Sequence, residues 1–155
     1  MNNLAENKKG LFNFEILEKY QAGLKLTGPE VKSAKAGRIN LTGSYVSLLR
    51  NPKTGRSEAW LIGTHIGKYA PAGYSQKDYN PIRNRKLLLT KKELNSLIGK
   101  NTQKTLTIIP ISVYTSKSLV KVEIALASGK KKFDKRETIK KREFERSKQR
   151  LIKQS

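Results

Sequence analysis

The chain has 155 residues, with 33 lysines and arginines against 12 aspartates and glutamates, a net charge of +21. That length suffices for one domain with a real core, and a body this positive repels itself unless it meets a polyanion. No cysteine is present, which excludes disulfides and thiolate metal sites.

Nucleic acid is the first polyanion to consider and an anionic membrane surface the second. The membrane reading is weak. No apolar run approaches the roughly 20 residues of a spanning helix, and the basic C-terminus lacks an amphipathic apolar face. Met1 to Gly10 carries no apolar signal-peptide core, so a cytoplasmic location is expected.

In chain order, Leu11 to Gly28 reads as a hairpin. Phe12, Phe14 and Ile16 alternate with polar residues as a half-buried strand, and Ala22 to Leu26 follows as a second. The turn chemistry between them is poor. Pro29 to Ala36 reads as a short helix. Thr27 and Glu30 have capping-box spacing, Pro29 suits a first turn, and Gly37 suits a left-handed stop. Ser44 to Leu49 and Glu58 to Ile66 read as strands around a turn at Asn51-Pro-Lys-Thr-Gly55. Gly67 to Arg85 is a long basic loop carrying Tyr69, Tyr74 and Tyr79; loops of that length in small domains are functional or disordered.

Leu89 to Gly99 has the best-marked helix signals. Thr90 and Glu93 form a capping box, Leu89 and Leu94 a hydrophobic staple, and Gly99 is the stop. Thr105 to Tyr114 and Leu119 to Ala127 are long strands rich in Ile, Val, Leu and Thr, and Pro110 marks an edge or a bulge in the first. About six strands and two short helices suggest a mainly β protein, either a small barrel of oligonucleotide-binding type with accessory helices or a split β/α sandwich.

Residues 129–155 form a tail with 12 basic and 4 acidic residues. A segment this polar is disordered or a fraying helix when alone. It is nonetheless patterned. Asp134 and Glu137 have capping-box spacing, and Arg142, Arg146 and Arg150 recur every four residues on one helical face, facing a polyanion. The expected division is therefore an RNA-binding body, 1–128, and a basic tail, 129–155.

Catalytic signatures are lacking. His65 is the only histidine, without an evident acidic orienting partner, and reads as a strand residue or an RNA contact. The 8 carboxylates of the body are scattered, with no pair or metal loop. Gly-Leu-Lys-Leu-Thr-Gly lacks the Gly-Lys-Ser/Thr ending of a phosphate loop. No enzyme activity, metal or cofactor is expected. Arg83, Arg85 and Lys86 following the three tyrosines are what single-stranded or looped RNA binding asks for, with π-faces for bases and cations for phosphates; a merely solvated basic loop is the equal alternative. Glu30 is the odd carboxylate on a basic surface, either a cap or an acceptor for base and sugar donors.

Four motifs in order, Gly28-Pro-Glu-Val-Lys-Ser33, Ala36-Gly-Arg38, Asn80-Pro-Ile-Arg-Asn-Arg-Lys-Leu-Leu-Leu89 and Gly129-Lys-Lys-Lys-Phe-Asp-Lys-Arg136, resemble the SsrA-binding proteins, from about Asn7 to the end. The resemblance implies an oligonucleotide-binding-type barrel over the sandwich. It also implies a monomeric, non-enzymatic adaptor that binds the tRNA-like domain of transfer-messenger RNA and brings it to stalled ribosomes for tagging and rescue. It implies RNA-binding positions at Asn7, Lys8, Glu30, Lys32, Arg38, Arg83, Arg85, Lys86 and Leu87. Ribosome-directed positions would be Gly129, Phe133, Asp134, Lys135, Arg136, Leu151 and Ile152, with Phe133 stacking near the decoding centre and the tail in the empty mRNA path. Two positions depart from the family pattern: Pro29, and Asn80 where a carboxylate is common, which removes an expected partner for Arg83 or Arg85. The alternative is a general ribosomal or single-stranded RNA-binding protein.

Overall fold

A computed structural model describes residues 2–71, 77–102, 105–129, 136 and 139–148. Among them, β4 (Tyr45–Arg50), β5 (Ser57–Ile62), β7 (Arg85–Leu88), β2 (Phe14–Leu24), β9 (Leu119–Gly129) and β8 (Leu106–Ser116) follow one another as hydrogen-bonded neighbours. The ring closes where Val46 of β4 pairs with Ile108 of β8. All these pairings are antiparallel. The result is a small barrel of the oligonucleotide-binding type, with helices α1 (Lys8–Asn13), α2 (Gly28–Lys35) and α3 (Lys91–Lys100) attached, as the family resemblance implied. Leu61, Ile66, Leu97, Ile108, Val113, Val122 and Ile124 are at most 1% exposed and fill its interior. Each such side chain is worth about 1.5–3 kcal/mol of burial.

Two of the three 11-residue strands were legible. β8 and β9 pair from Leu106↔Ser128 to Ser116↔Leu119. Lys117 and Ser118 both take positive φ (49° and 68°) in the two-residue turn that joins them, as a right-twisted hairpin requires. The register slips between Pro110 and Ser112, so Pro110 marks a bulge. Proline has no N–H to give a ladder, and here β8 exchanges one neighbour for another: β4 at Ile108, then β1 (Asn2–Glu6) from Ser112 to Thr115.

The expected hairpin at Leu11–Gly28 does not form. Leu11 and Phe12 belong to α1, and Phe14–Leu24 runs as one 11-residue strand along β9. Leu17 to Gln21 contains none of the Gly, Pro, Asn or Asp that reverse a chain, and β9 offers a partner along the whole length. A register shift between Ile16 and Glu18 absorbs the extra residue. The strand expected over Glu58–Ile66 is split: the chain turns at Gly63 (φ 83°), and β6 (His65–Ile66) pairs instead with β3 (Ile39–Asn40). β7 lies where the long loop was expected to end.

Helix α2 carries its full capping box, with the Thr27 side chain on Glu30 N–H and the Glu30 carboxylate on Thr27 N–H, and Gly37 follows at φ 81°. In α3, Thr90 caps Glu93 N–H, but the Glu93 carboxylate takes the Thr90 hydroxyl proton at 2.7 Å instead of a backbone N–H. Gly99 does not stop this helix, which runs through Lys100 to a cap at Asn101. Residues 139–148 are helical and exposed.

Candidate nucleic-acid interface

The basic loop before β7 is fixed from within. Arg85, fully buried, directs all five of its N–H donors at protein acceptors. Nε donates to Glu30 Oε2 at 2.7 Å. One terminal nitrogen donates to the carbonyls of Thr64 (2.7 Å) and Arg83 (3.1 Å). The other donates to Tyr79 Oη (3.0 Å) and the Pro81 carbonyl (2.9 Å). A guanidinium has five donors, so none remains for a phosphate. Arg85 instead ties residues 79–83 to α2 and to Thr64, the residue before β6.

Glu30 is the hub. Its carboxylate, 1% exposed, also accepts Thr27 N–H at 3.0 Å and both Nε (3.1 Å) and a terminal nitrogen of Arg83. The Tyr79 hydroxyl donates to the Ile66 carbonyl at 2.8 Å and lies 3.2 Å from Glu30 Oε2. Burial pushes the Glu30 carboxyl up, but Arg83, Thr27 N–H and Arg85 outweigh it and hold it down at about 2. Burial, followed by the Glu30 charge, raises the Tyr79 phenol above its ordinary value. Glu30 is thus both helix cap and ion-pair centre. It supplies the carboxylate whose absence at Asn80 had left Arg83 and Arg85 without an expected partner.

Of the residues singled out in the barrel, Lys8, Lys32, Arg38, Arg83 and Lys86 present charge at the surface, whereas Asn7, Glu30, Arg85 and Leu87 lie inside. Asn7, 3% exposed, caps α1 by accepting Gly10 N–H at 3.0 Å and reaches across the β8 bulge to the Pro110 carbonyl at 2.9 Å. Leu87 is a core residue. Arg83 keeps a third of its side chain exposed. Lys32 Nζ stands 5.6 Å from the Tyr69 ring centroid, a cation–π distance, and Arg38 shares backbone contact with Gly67 beside it. Lys86 lies 3.5 Å from Glu58. The structure therefore gathers Lys32, Arg38 and Tyr69 in one patch, and Arg83 and Lys86 around a neighbouring cleft with Lys25 and Trp60.

Lys25 and Trp60 had escaped the sequence reading. The signal for Trp60 was a lone tryptophan at an outward position of an alternating strand. Gly129 ends β9 exposed, and Arg136 is helical and exposed. Phe133, Asp134, Lys135, Leu151 and Ile152, with Glu137 and Arg150, lie outside the described residues. The Arg142 guanidinium sits 5.2 Å from the Phe12 ring centroid, so the tail helix touches α1. Among the described residues no helix is long and apolar enough to cross a membrane, and no cluster of three or more His, Cys, Asp or Glu could hold a metal ion.

Residues 4–154 match the family model described as SmpB protein. An SsrA-binding protein of Gloeothece citriformis is 51% identical over 150 residues, covering 97% of this chain and 92% of its own. Those of Trichodesmium erythraeum and Coxiella burnetii are 47% and 48% identical over 151 residues, each covering 97% of this chain and 92% and 90% of their own. A chain solved in work described as "tmRNA-SmpB: a journey to the center of the bacterial ribosome" is 38% identical, with a TM-score of 0.65 over 87% of this chain and 93% of that one.

Proposed function

The chain belongs to the SmpB protein family, and on that premise we propose that it is an RNA-binding adaptor of ribosome rescue. It binds transfer-messenger RNA and acts with it on the ribosome in trans-translation. The observation that carries this reading is that relatives named for binding SsrA match the barrel and the basic tail together, across 97% of the chain.

The barrel, residues 1–128, takes the tRNA-like domain of that RNA. An RNA elbow is recognised through its shape, exposed bases and 2′-hydroxyls, which calls for a surface whose cations are already in place. The Glu30–Arg85 lock supplies that preorganisation by holding the loop that carries Arg83. Lys8, Lys32, Arg38, Arg83 and Lys86 then meet phosphates, while Asn7, Glu30, Arg85 and Leu87 act through the backbone they position. The tail, residues 129–155, is directed at the ribosome, with Phe133 stacking near the decoding centre and Arg142 and Arg146 tracking phosphate in the empty mRNA path. Leu151 and Ile152 add an apolar contact at the far end. A polar basic helix whose ordering is offset only inside an RNA-lined channel reports that the channel is empty. The chemistry required is binding and positioning, so the role is that of an adaptor and not of an enzyme.

The test is a comparison of affinities, at physiological salt, for the tRNA-like domain and for an unrelated structured RNA of equal length. A preference of at least about tenfold, 1.4 kcal/mol, is expected. Equal affinities would instead favour a general RNA-binding protein.

A further inference from the structure

Trp60 is the one tryptophan of the chain. Its neighbours on β5, Ala59 and Leu61, are buried in the barrel, so strand alternation puts Trp60 on the outer face. The indole is nonetheless pinned. Its N–H donates to Glu58 Oε2 at 3.2 Å, and Glu58 Oε1 is held by Asn51 Nδ2 at 2.9 Å and by Lys86 Nζ at 3.5 Å. Two carboxylates border this neighbourhood, and both are engaged: Glu58 by Trp60, Asn51 and Lys86, and Glu30 by Arg83 and Arg85. The ring forms a shared wall of two clefts. One, about 310 Å³, is bounded by Lys25, Arg83 and Lys86. The other, about 490 Å³, is bounded by Arg50, Lys53 and Asn84. Five cations thus flank one fixed aromatic face.

We propose that Trp60 is the stacking platform for one unpaired base of bound RNA. Lys25, Arg83 and Lys86 take the phosphate on one side, and Arg50 and Lys53 the phosphate on the other. The combination of a π-face with a cationic track is what single-stranded nucleic acid requires, and the outward sheet face is where barrels of this type bind oligonucleotides. The inference rests on the RNA-binding reading above and adds to it a defined subsite.

Because the tryptophan is unique, the wild-type protein reports on itself. The full chain is titrated with an end-labelled oligoadenylate, with label anisotropy giving saturation and tryptophan emission, excited where tyrosine does not absorb, giving contact. Emission is expected to be quenched in step with anisotropy, whereas inorganic polyphosphate at equal charge binds without quenching. Trp60→Phe keeps affinity within about threefold, and Trp60→Leu lowers it by roughly 5- to 150-fold. Unquenched emission at saturation, or wild-type affinity in Trp60→Leu, overturns the proposal. The same titrations with the labelled tRNA-like domain separate the two readings. Tight binding with unchanged emission, indifferent to Trp60→Leu, removes the subsite and leaves the adaptor; failure of both RNAs to bind removes both.

Discussion

Replacing Glu30 by glutamine removes the anion on which the interface is built while nearly keeping its shape. Arg85 is 0% exposed and Glu30 1%, so the variant leaves a buried guanidinium without its counter-charge. Breaking one side of such a pair costs about 3–5 kcal/mol. Proton linkage gives an independent figure. The carboxyl is held at about 2 against an ordinary 4.5, and at about 1.4 kcal/mol per tenfold change in proton affinity this corresponds to roughly 3 kcal/mol. A folded-state pKa below the unfolded value means that the contribution is fully present above about pH 4.5 and is lost as pH falls through about 2. Urea unfolding of wild type and Glu30→Gln should therefore differ by about 3 kcal/mol at pH 7. The difference should shrink progressively below about pH 4.5, because the variant has no carboxylate left to protonate there. Melting at pH 7 should fall by on the order of 10 °C. A variant within about 1 kcal/mol of wild type, or a difference that is constant with pH, refutes the argument that Glu30 is the centre of the fold around this loop.

Asn7→Ala uncaps α1 and leaves the buried Pro110 carbonyl without its donor, which should cost about 2 kcal/mol in urea unfolding. Ser118→Gly relieves a left-handed serine at the β8–β9 turn and should raise stability by about 0.5–1 kcal/mol, read from the unfolding midpoint. Lys32→Gln removes an exposed cation that no ion pair engages among the described residues. It should lower the slope of log affinity against log salt by about one without changing preference among RNAs, as measured by titration of the tRNA-like domain over a range of salt.

What was legible in the sequence was what local chemistry decides. Thr27, Glu30 and Gly37 bound α2 because caps act over three or four residues, and Pro110 marked its bulge because a missing N–H is a local fact. Phe14–Leu24 was misread as two strands because its period breaks at the Ile16–Glu18 register shift, and only β9 reveals the strand to be continuous. β7 was missed because Arg85-Lys-Leu-Leu88 opens on two cations. Its first residue is charged yet buried, and nothing short of the tertiary fold brings Glu30, 55 positions earlier, to neutralise it. The motif that carries Arg83, Arg85 and Lys86 was found, but its division of labour was not: both arginines, two positions apart, bind Glu30 of α2, yet Arg83 keeps a third of its side chain exposed while Arg85 is enclosed by Thr64, Tyr79 and Pro81 as well.

The central claim is that one part of the chain holds the RNA and the other addresses the ribosome. A chain ending at Ser128 tests it most directly, with affinity for the tRNA-like domain and tagging on a stalled ribosome measured side by side. The predicted result is affinity within a few-fold of the full chain, on the order of 1 kcal/mol or less, with tagging abolished. Loss of RNA binding, or tagging that survives without residues 129–155, contradicts the division.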